Sequence, residues 1–421
     1  MRAAATLAIF AATLIAVLRR PRGWNEAWWA VGGAALMLLL RLVRWPEALE
    51  TLARGKDAVL MLIALLCFSA VIARSGFFEW AAIVSARGAR GDAGALFRNT
   101  FLLGAFVTAV LSLDTTAVML TPVVIAGARR LRLPVTPYVL LCAIVSNCAS
   151  MLMPVSNLTN LLFVSAFGLR FAPFVARMLL PQLAVLAVTY GLLRRYFRAQ
   201  LARSFPADEL PVAASVVVDA RLFRASCLML GAVSLGYFVG PALGVPVYVV
   251  AFAGTGALAG YGALRAGLSW GWLRDVPFGA AALAGGLFVV IRGVENLGLA
   301  RLLVPAVQRL AVRPLWWSLP AVAGATGAAS NLVNNLPATL AARSILEQAQ
   351  APQPMILAAL VGADVGPNIA IVGSLATVLV LTVARTRGET VRARDLFRVG
   401  VLVTPLALAA AALALAATYL L

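Results

Sequence analysis

Residues 362–379 read "GADVGPNIAIVGSLATVL" and stand inside an apolar run that extends from about 353 to 384. An acid (Asp364), a helix breaker (Pro367), Asn368, Ser374 and Thr377 fall there among glycines at 362, 366 and 373. A straight helix over the run would be roughly 48 Å long at about 1.5 Å per residue, against a hydrocarbon core of about 30 Å. The segment has to break or turn back. Gly366, Pro367 and Gly373 supply the conformational freedom and the missing N–H that open a helix.

The same design recurs upstream. Adding 217 to positions in "SNCASMLMPVSNLTNLL" (146–162) places Asn147 on Asp364, Ser150 on Pro367, Ser156 on Gly373, Asn157 on Ser374 and Asn160 on Thr377, with Pro154 as the breaker of the first copy. Nearby the offset becomes 221, so that Asp114 of "SLDTTAVMLTP" (112–122) falls on Asn335 of "NLVNNLPATL" (331–340). Two halves built on one plan are the signature of a transporter-type repeat.

The remaining sequence supports an all-α polytopic membrane protein. Of the 421 residues 62% are hydrophobic and 12% charged, and the apolar residues come as repeated runs of bilayer length. A formal charge of +19 on such a chain sets topology, and we expect no nucleic-acid partner. Cys67, Cys142, Cys148 and Cys227 show no CxxC spacing, so neither a disulfide framework, a metal site nor a cofactor is expected. With no histidine in the chain, proton handling near neutral pH falls to carboxylates or water. The run 3–18 is followed by Arg19, Arg20 and Arg22, the reverse of the charge order in a cleavable signal, which predicts a retained first helix.

Arginines orient the chain. Arg194, Arg195 and Arg198 before the polar connection 198–223, and Arg385, Arg387, Arg392, Arg394 and Arg398, mark cytoplasmic ends. Arg98 and the cluster Arg129, Arg130, Arg132 bracket 99–128. A segment that starts and ends on one side is a re-entrant hairpin, with arms of about 14 residues, roughly 21 Å, and residues 112–116 at its tip. Its counterpart, 315–341, would enter from the opposite face with Asn334 and Asn335 at the tip. Residues 77–98 read as an interfacial helix leading into the first hairpin. The expected organisation is N-terminal spanning helices over 1–57, a first inverted repeat over 58–197 (hairpin 99–128, broken helix 135–169), the cytoplasmic connection 198–223, and a second half over 224–421 (hairpin 315–341, broken helix 353–384). That amounts to about ten spanning helices, two hairpins and two broken helices.

Irregular backbone at membrane depth is tolerated only where protein or a water-filled cavity satisfies its polar groups. Two tips and two breaks make a midplane site, lined on this expectation by Thr115, Thr116, Asn147, Asn157, Asn334, Asn335, Ser374 and Thr377. Amides, hydroxyls and helix N-termini suit a small hydroxyl-rich or oxyanionic solute. Asp114 and Asp364 are the candidates for proton coupling, because a carboxylate deep in a bundle costs several kcal/mol unless it is paired, hydrated or protonated; the alternative is that each caps a helix break. Glu295 and Arg292, one turn apart, read as an interfacial ion pair. Cys148 reads as packing, with a ligand role toward a thiophilic metalloid as the alternative.

"LDTTAVMLTP", "PVSNLTNLL", "VNNLPATL" and "GADVGPNIAIVGSLATVL", in this order, resemble the arsenical-pump membrane proteins, arsenite efflux permeases of the ion transporter superfamily. "FVVIRGVENLGL" at 288–299 extends the likeness over most of the chain, and 112–122 is similar to the hairpin tip of the related dicarboxylate and citrate carriers. The resemblance implies export of arsenite and antimonite in exchange for protons, from a multi-pass protein of the bacterial inner membrane, in some cases with an arsenical-pump ATPase on the cytoplasmic face. Asp114, Asn147, Asn157, Asn335, Asp364 and Ser374 occupy the matching positions. Where the family usually has an Asn-Asp-Gly tip, this chain has Leu113, Asp114 and Thr115. A sodium–proton antiporter of the same superfamily, or a non-transporting membrane scaffold, is the rival expectation; a scaffold has no need of paired polar breaks.

Overall fold

The computed structural model describes residues 1–19 and 24–420, and every regular element among them is helical. The chain opens with α1 (Arg2–Arg19), α2 (Glu26–Leu39) and α3 (Trp45–Ala73). Arg20 and Arg22, part of the case for a retained first helix, lie outside the described residues. Next come α4 (Phe77–Gly88), α5 (Ala93–Val110) and α6 (Leu113–Thr115), which continues through a wide turn at Thr116–Leu120 into α7 (Thr121–Arg130). α8 (Val135–Cys148), α9 (Leu158–Ala166), α10 (Phe171–Tyr196) and the short α11 (Arg198–Leu201) end the first half. The second half holds α12 (Ala220–Ala242), α13 (Val247–Arg265), α14 (Gly279–Glu295), α15 (Val304–Ala311), α16 (Leu315–Val333), α17 (Asn335–Gln348), α18 (Gln353–Val365), α19 (Leu375–Thr386) and α20 (Ala393–Leu420).

The chain reverses between α5 and α6. Thr108 Oγ1 and Thr116 Oγ1 lie 2.7 Å apart, whereas eight residues of straight helix would separate them by roughly 12 Å. The polar tip sits where expected, at Ser112, but the arms are longer than the sequence indicated. The first begins at Ala93 rather than 99, because Asp92 caps it by accepting from Gly94 N (2.8 Å). The expected interfacial helix 77–98 accordingly stops at Gly88. The second hairpin is α16 and α17, packed on each other, with Asn334 as the joint and its second arm running to Gln348 rather than 341.

Both expected breaks are present. α8 ends at Cys148, a single turn follows at Pro154–Ser156, and α9 begins at Leu158. α18 ends at Val365, turns follow at Gly366–Asn368 and Ile371–Gly373, and α19 begins at Leu375. Cys148, the turn Pro154–Ser156 and Leu158 meet Val365, the turn Ile371–Gly373 and Leu375 at the same offset of 217 that relates the polar residues. Pro367 leaves the helical region (φ −76°, ψ 35°), so it is the point of rupture.

Two packed groups result. α1, α2, α3, α12, α13 and α14 form a frame, while the hairpins, the broken helices, α10 and α20 form a core body that meets the frame chiefly where α3 and α14 face α9 and α17. Within the core, small residues permit backbone contact, as in membrane helix packing generally. A Cβ on Gly366 would lie 2.3 Å from the Cα of Gly327 on α16. Among the described residues seven helices are long and apolar enough to cross a membrane, and one of them is α5, the first arm of the hairpin, which the sequence reading made too short to do so; α2 and the halves of the broken helices are individually shorter. Helix ends sort into two sets. Arg129 and Glu389 (2.7 Å) and Arg74 with Asp275 pair at one end. Asn296 binds Glu47 (3.1 Å), and Arg177 lies 4.2 Å over the Tyr419 ring, at the other. The connection is strapped to α4 and to the turn before the first hairpin by Arg87 Nε to Pro211 O (3.0 Å) and Phe205 N to Gly91 O (2.8 Å).

Candidate functional site

A cavity of about 70 Å³ lies between frame and core. Leu113 and Asp114 enter it from the first tip, Asn334 and Asn335 from the second, and Asn157, Thr159 and Ser374 from the two breaks. Sites for drug-sized ligands are roughly 300–1,000 Å³, so this one fits a solute of a few heavy atoms. Its other wall is apolar: Leu62 of α3, Leu283 and Leu287 of α14, and Leu14 and Val17 of α1.

Four helices begin at the cavity, and each starts on a serine or asparagine. Ser112 caps α6 by accepting from Thr115 N (3.1 Å), Asn157 caps α9 through Thr159 N (3.3 Å), and Asn334 caps α17 through Leu336 N (3.2 Å). Ser374 stands at the start of α19, with its hydroxyl committed to Asn147 Oδ1 (2.7 Å). Four helix N-termini aim partial positive charge at one small volume, which favours oxygen-rich solutes. Asn334 has φ 78° and ψ 154°, a region that costs a side-chain-bearing residue of order 1–3 kcal/mol. Its two hydrogen bonds, to Leu336 N and from Nδ2 to Val372 O (2.9 Å), hold it there. Asn334→Gly should release the strain and forfeit both bonds, leaving thermal stability within about 1 kcal/mol of wild type, while transport falls; unchanged transport would show that the tip needs only its backbone shape.

The polar side chains divide by what they touch. Asp114 and Asn335, counterparts at the two tips, line the cavity, and among the described residues no protein group hydrogen-bonds either side chain. Asn157, Thr159, Asn334 and Ser374 line it while bonded to protein. Thr115, Thr116, Asn147 and Thr377, expected in the site, stand behind it instead. Thr115 bonds Ser69 on α3 (2.7 Å), Thr116 bonds Thr108, and Asn147 Nδ2 donates to Asn368 Oδ1 (2.9 Å) and Thr377 Oγ1 (3.1 Å). None of the four lines the cavity; they brace the tips and clamp one break to the other.

Asp364 is also one layer back. Its Oδ1 accepts from Asn157 Nδ2 (2.8 Å) and Thr159 Oγ1 (2.7 Å), both cavity residues, so it reaches the cavity through them. It does not cap a helix break by accepting backbone N–H groups, as the structural alternative required. Cys148 is fully buried, with Sγ accepting from Asn368 Nδ2 (3.4 Å) and away from the cavity, in agreement with a packing role. Arg292 and Glu295 form the expected ion pair at 3.5 Å, both partly exposed.

Two functional elements escaped the sequence. Thr159 links Asp364 to the cavity, but its partner at offset 217 is Ala376, so the repeat did not mark it. Asn331 holds the second break: Nδ2 donates to Gly366 O (2.8 Å) and Gly327 O (2.9 Å), and Oδ1 accepts from Ile369 N (3.1 Å) and Ala370 N (2.9 Å).

Comparison with known proteins gives a consistent result. A family model described as "Arsenical pump membrane protein" matches residues 5–420. The arsenical pump membrane protein of Yersinia enterocolitica is 31% identical over 404 residues, covering 94% of each chain, and that of Escherichia coli strain K12 is 31% identical over 407 residues with the same coverage. Among solved structures, the Alcanivorax borkumensis YdaH transporter, described as having an unusual topology, superposes with a TM-score of 0.59 over 88% of this chain and 87% of its own, at 16% identity, a likeness of fold alone. With tips and breaks assembled around one small cavity and a family match over nearly its whole length, the chain belongs to the arsenical pump membrane protein family and is a membrane transporter rather than an enzyme.

Proposed function

We propose that the chain exports arsenite, and antimonite with it, from the cytoplasm of a bacterium across the inner membrane in exchange for protons. One observation carries the assignment of the site: Asp114 and Asn335 project from opposite tips into a cavity of about 70 Å³, with no side-chain hydrogen bond to protein among the described residues. Arsenite near neutral pH is largely an uncharged triol, which needs acceptors for three O–H groups and donors for its oxygens. A carboxylate, an amide with both functions and four helix N-termini meet that need without any cationic side chain. Among the described residues the cavity lining holds no arginine or lysine to meet a dicarboxylate.

The transport cycle follows from an inverted repeat. On this proposal ten segments cross the bilayer: α1, α2, α3, broken α8–α9, α10, α12, α13, α14, broken α18–α19 and α20. α5–α7 and α16–α17 are re-entrant, entering from the cytoplasm and from outside respectively. The paired ends Arg74–Asp275 and Arg129–Glu389 then lie on the cytoplasmic side, as the arginine distribution requires. Asn157, Asn334, Asn335 and Ser374 contact the solute with Asp114; Thr115, Thr116, Asn147 and Thr377 set their positions. Coupling arises because solute and proton favour opposite charge states of one carboxylate. An arsenical-pump ATPase is an optional partner on the arginine-rich face.

Inverted membrane vesicles test this directly. Arsenite uptake should follow an imposed proton gradient, collapse on adding a protonophore, and ignore sodium. Sodium-driven proton movement with no arsenite uptake would instead establish the sodium–proton antiporter.

A further inference from the structure

The seam between frame and core holds a second, smaller cavity of about 30 Å³. Four of the helices that line the solute cavity also line this one, each met one or two turns further along. Leu158 of α9, Ala284 and Leu287 of α14, and Leu336 of α17 border the solute cavity; Leu162, Phe288 and Ile291, and Leu340 border the second. The step is four residues in every case, one helical turn or about 6 Å. On α3 it is seven, from Leu62 to Gly55. The steps lead toward the end of the molecule where Asn296 binds Glu47, the outer side on the topology proposed above.

What separates the two cavities is apolar. Phe288, Leu162 and Leu340 are 2%, 2% and 7% exposed. A Cβ on Gly55 would lie 2.3 Å from Cε2 of Phe288, so the ring fills the place that a side chain on α3 would take. On the other side of the solute cavity a hydrogen bond between Ser69 and Thr115 (2.7 Å) ties α3 to the first tip. Around the second cavity, among the described residues, no hydrogen bond or ion pair of a lining side chain joins frame to core: Arg54 pairs with Glu50 within α3, Arg292 with Glu295 (3.5 Å) within α14, and Arg343 with Glu347 (2.8 Å) within α17. We infer that the second cavity is the outer vestibule of the transport path, that Phe288 seated on Gly55 is the gate between it and the solute cavity, and that Arg54, Arg292 and Arg343 admit oxygen-rich solutes there and hold back cations.

A seam held by apolar contacts alone parts without leaving buried polar groups unpaired, the costlier event at membrane depth. The ion pairs beside it stay whole, because each belongs to a single helix. At offset 221 the first repeat has Cys67 in place of Phe288, so the ring is a device of the outer side alone. Three guanidiniums and one carboxylate line the vestibule. Guanidiniums are donors only, so they offer hydrogen bonds to the oxygens of a departing triol and repel a cation. Sodium meets an unfavourable field at this mouth, and a hydroxylated metalloid does not. The identity and direction of the solute rest on the export proposed above; the gate itself does not.

Thiol labelling of the full-length protein, without solute, tests the gate. Of the four cysteines only Cys227 is exposed, so Cys227→Ser provides the background. Thr51→Cys is added in the vestibule, or Ala284→Cys in the solute cavity one turn before Phe288. With membrane-impermeant methanethiosulfonates outside right-side-out vesicles, Thr51→Cys should react readily and Ala284→Cys slowly. Phe288→Ala should speed the reaction of Ala284→Cys at least about tenfold, because the ring's contacts exist only in the closed gate. Gly55→Ala, which displaces the same ring from the facing helix, should act in the same direction. Phe97→Ala, which removes a buried ring packed on Tyr138 and Phe197 away from the seam, should not. At Thr51→Cys an anionic reagent should outpace a cationic one by about tenfold, and Arg292→Gln with Arg343→Gln should abolish the preference. Reagent attached at Thr51→Cys in cells before inverted vesicles are made should block arsenite uptake. Labelling of Ala284→Cys indifferent to Phe288, an equal effect of Phe97→Ala, or labelling of Thr51→Cys from the cytoplasmic face alone would overturn the gate. Equal rates for the two reagents would overturn the role of the arginines, and full uptake by the modified protein would overturn the exit route. Absence of arsenite uptake by wild type, with the labelling pattern intact, would defeat the proposed substrate and leave the gate standing.

Discussion

Asp114→Asn, which replaces a charged acceptor by a neutral one, is expected to lower arsenite uptake into inverted vesicles, at concentrations below saturation, by about five- to tenfold. A hydrogen bond to a charged acceptor contributes about 1.5–3 kcal/mol and a neutral one about 0.5–1.5, and each 1.4 kcal/mol is tenfold in affinity. Asn335→Ala, which removes a neutral partner from the facing tip, should cost two- to about tenfold. Folding is expected to be nearly indifferent to Asp114→Asn. The carboxylate makes no hydrogen bond to protein, and its favourable place in the first turn of α6 is worth only about 0.3–1 kcal/mol. Loss of transport at preserved melting temperature separates a residue that touches the solute from one that braces the fold. If uptake by Asp114→Asn is normal, the tip carboxylate is no part of the solute site.

The breaks and tips were legible because they contradict their surroundings. Asp364, Pro367 and Asn157 are anomalous in apolar runs, and a duplicated anomaly at a fixed offset leaves few structural interpretations. The layer in which each residue stands was not legible. Asn147 and Ser374 look equivalent as polar residues at breaks, yet Ser374 lines the cavity and Asn147 lies behind it, bonded to it at 2.7 Å. Which of two hydrogen-bonded neighbours faces a 70 Å³ volume depends on rotations of broken helix ends, and no periodicity encodes those. The apolar wall was invisible for the opposite reason: Leu62, Leu283 and Leu287 occur in stretches of helix that are apolar on every side, so nothing distinguishes a wall of the cavity from a surface toward lipid. Arm lengths were misjudged where a cap overrides hydropathy, as Asp92 does by starting α5 six residues before the apolar run.

Asn331 illustrates how a hairpin and a break are made one object, and its replacement by leucine should have the largest effect on stability. The side chain satisfies Gly366 O, Ile369 N and Ala370 N, the backbone groups freed where the second helix breaks. At membrane depth no solvent replaces them. Each group left unpaired costs about 1–3 kcal/mol, so Asn331→Leu should destabilise by roughly 3–9 kcal/mol, a large fraction of the ~5–15 kcal/mol that holds a typical fold together. The first repeat supports the interpretation by difference. Its position at offset 221 is Val110, which can make no such bonds, and there Ser156 donates to Ala109 O (2.7 Å) to tie break to hairpin from the other direction. Asn331→Asp keeps the acceptor for Ile369 N and Ala370 N and loses the donor shared by Gly366 O and Gly327 O, so its loss should be about a third to a half of that of leucine. Thermal melting of the three proteins in one detergent decides the matter: equal loss from aspartate and leucine would mean that packing of α16 against the break, with Gly327 on Gly366, dominates over the hydrogen bonds.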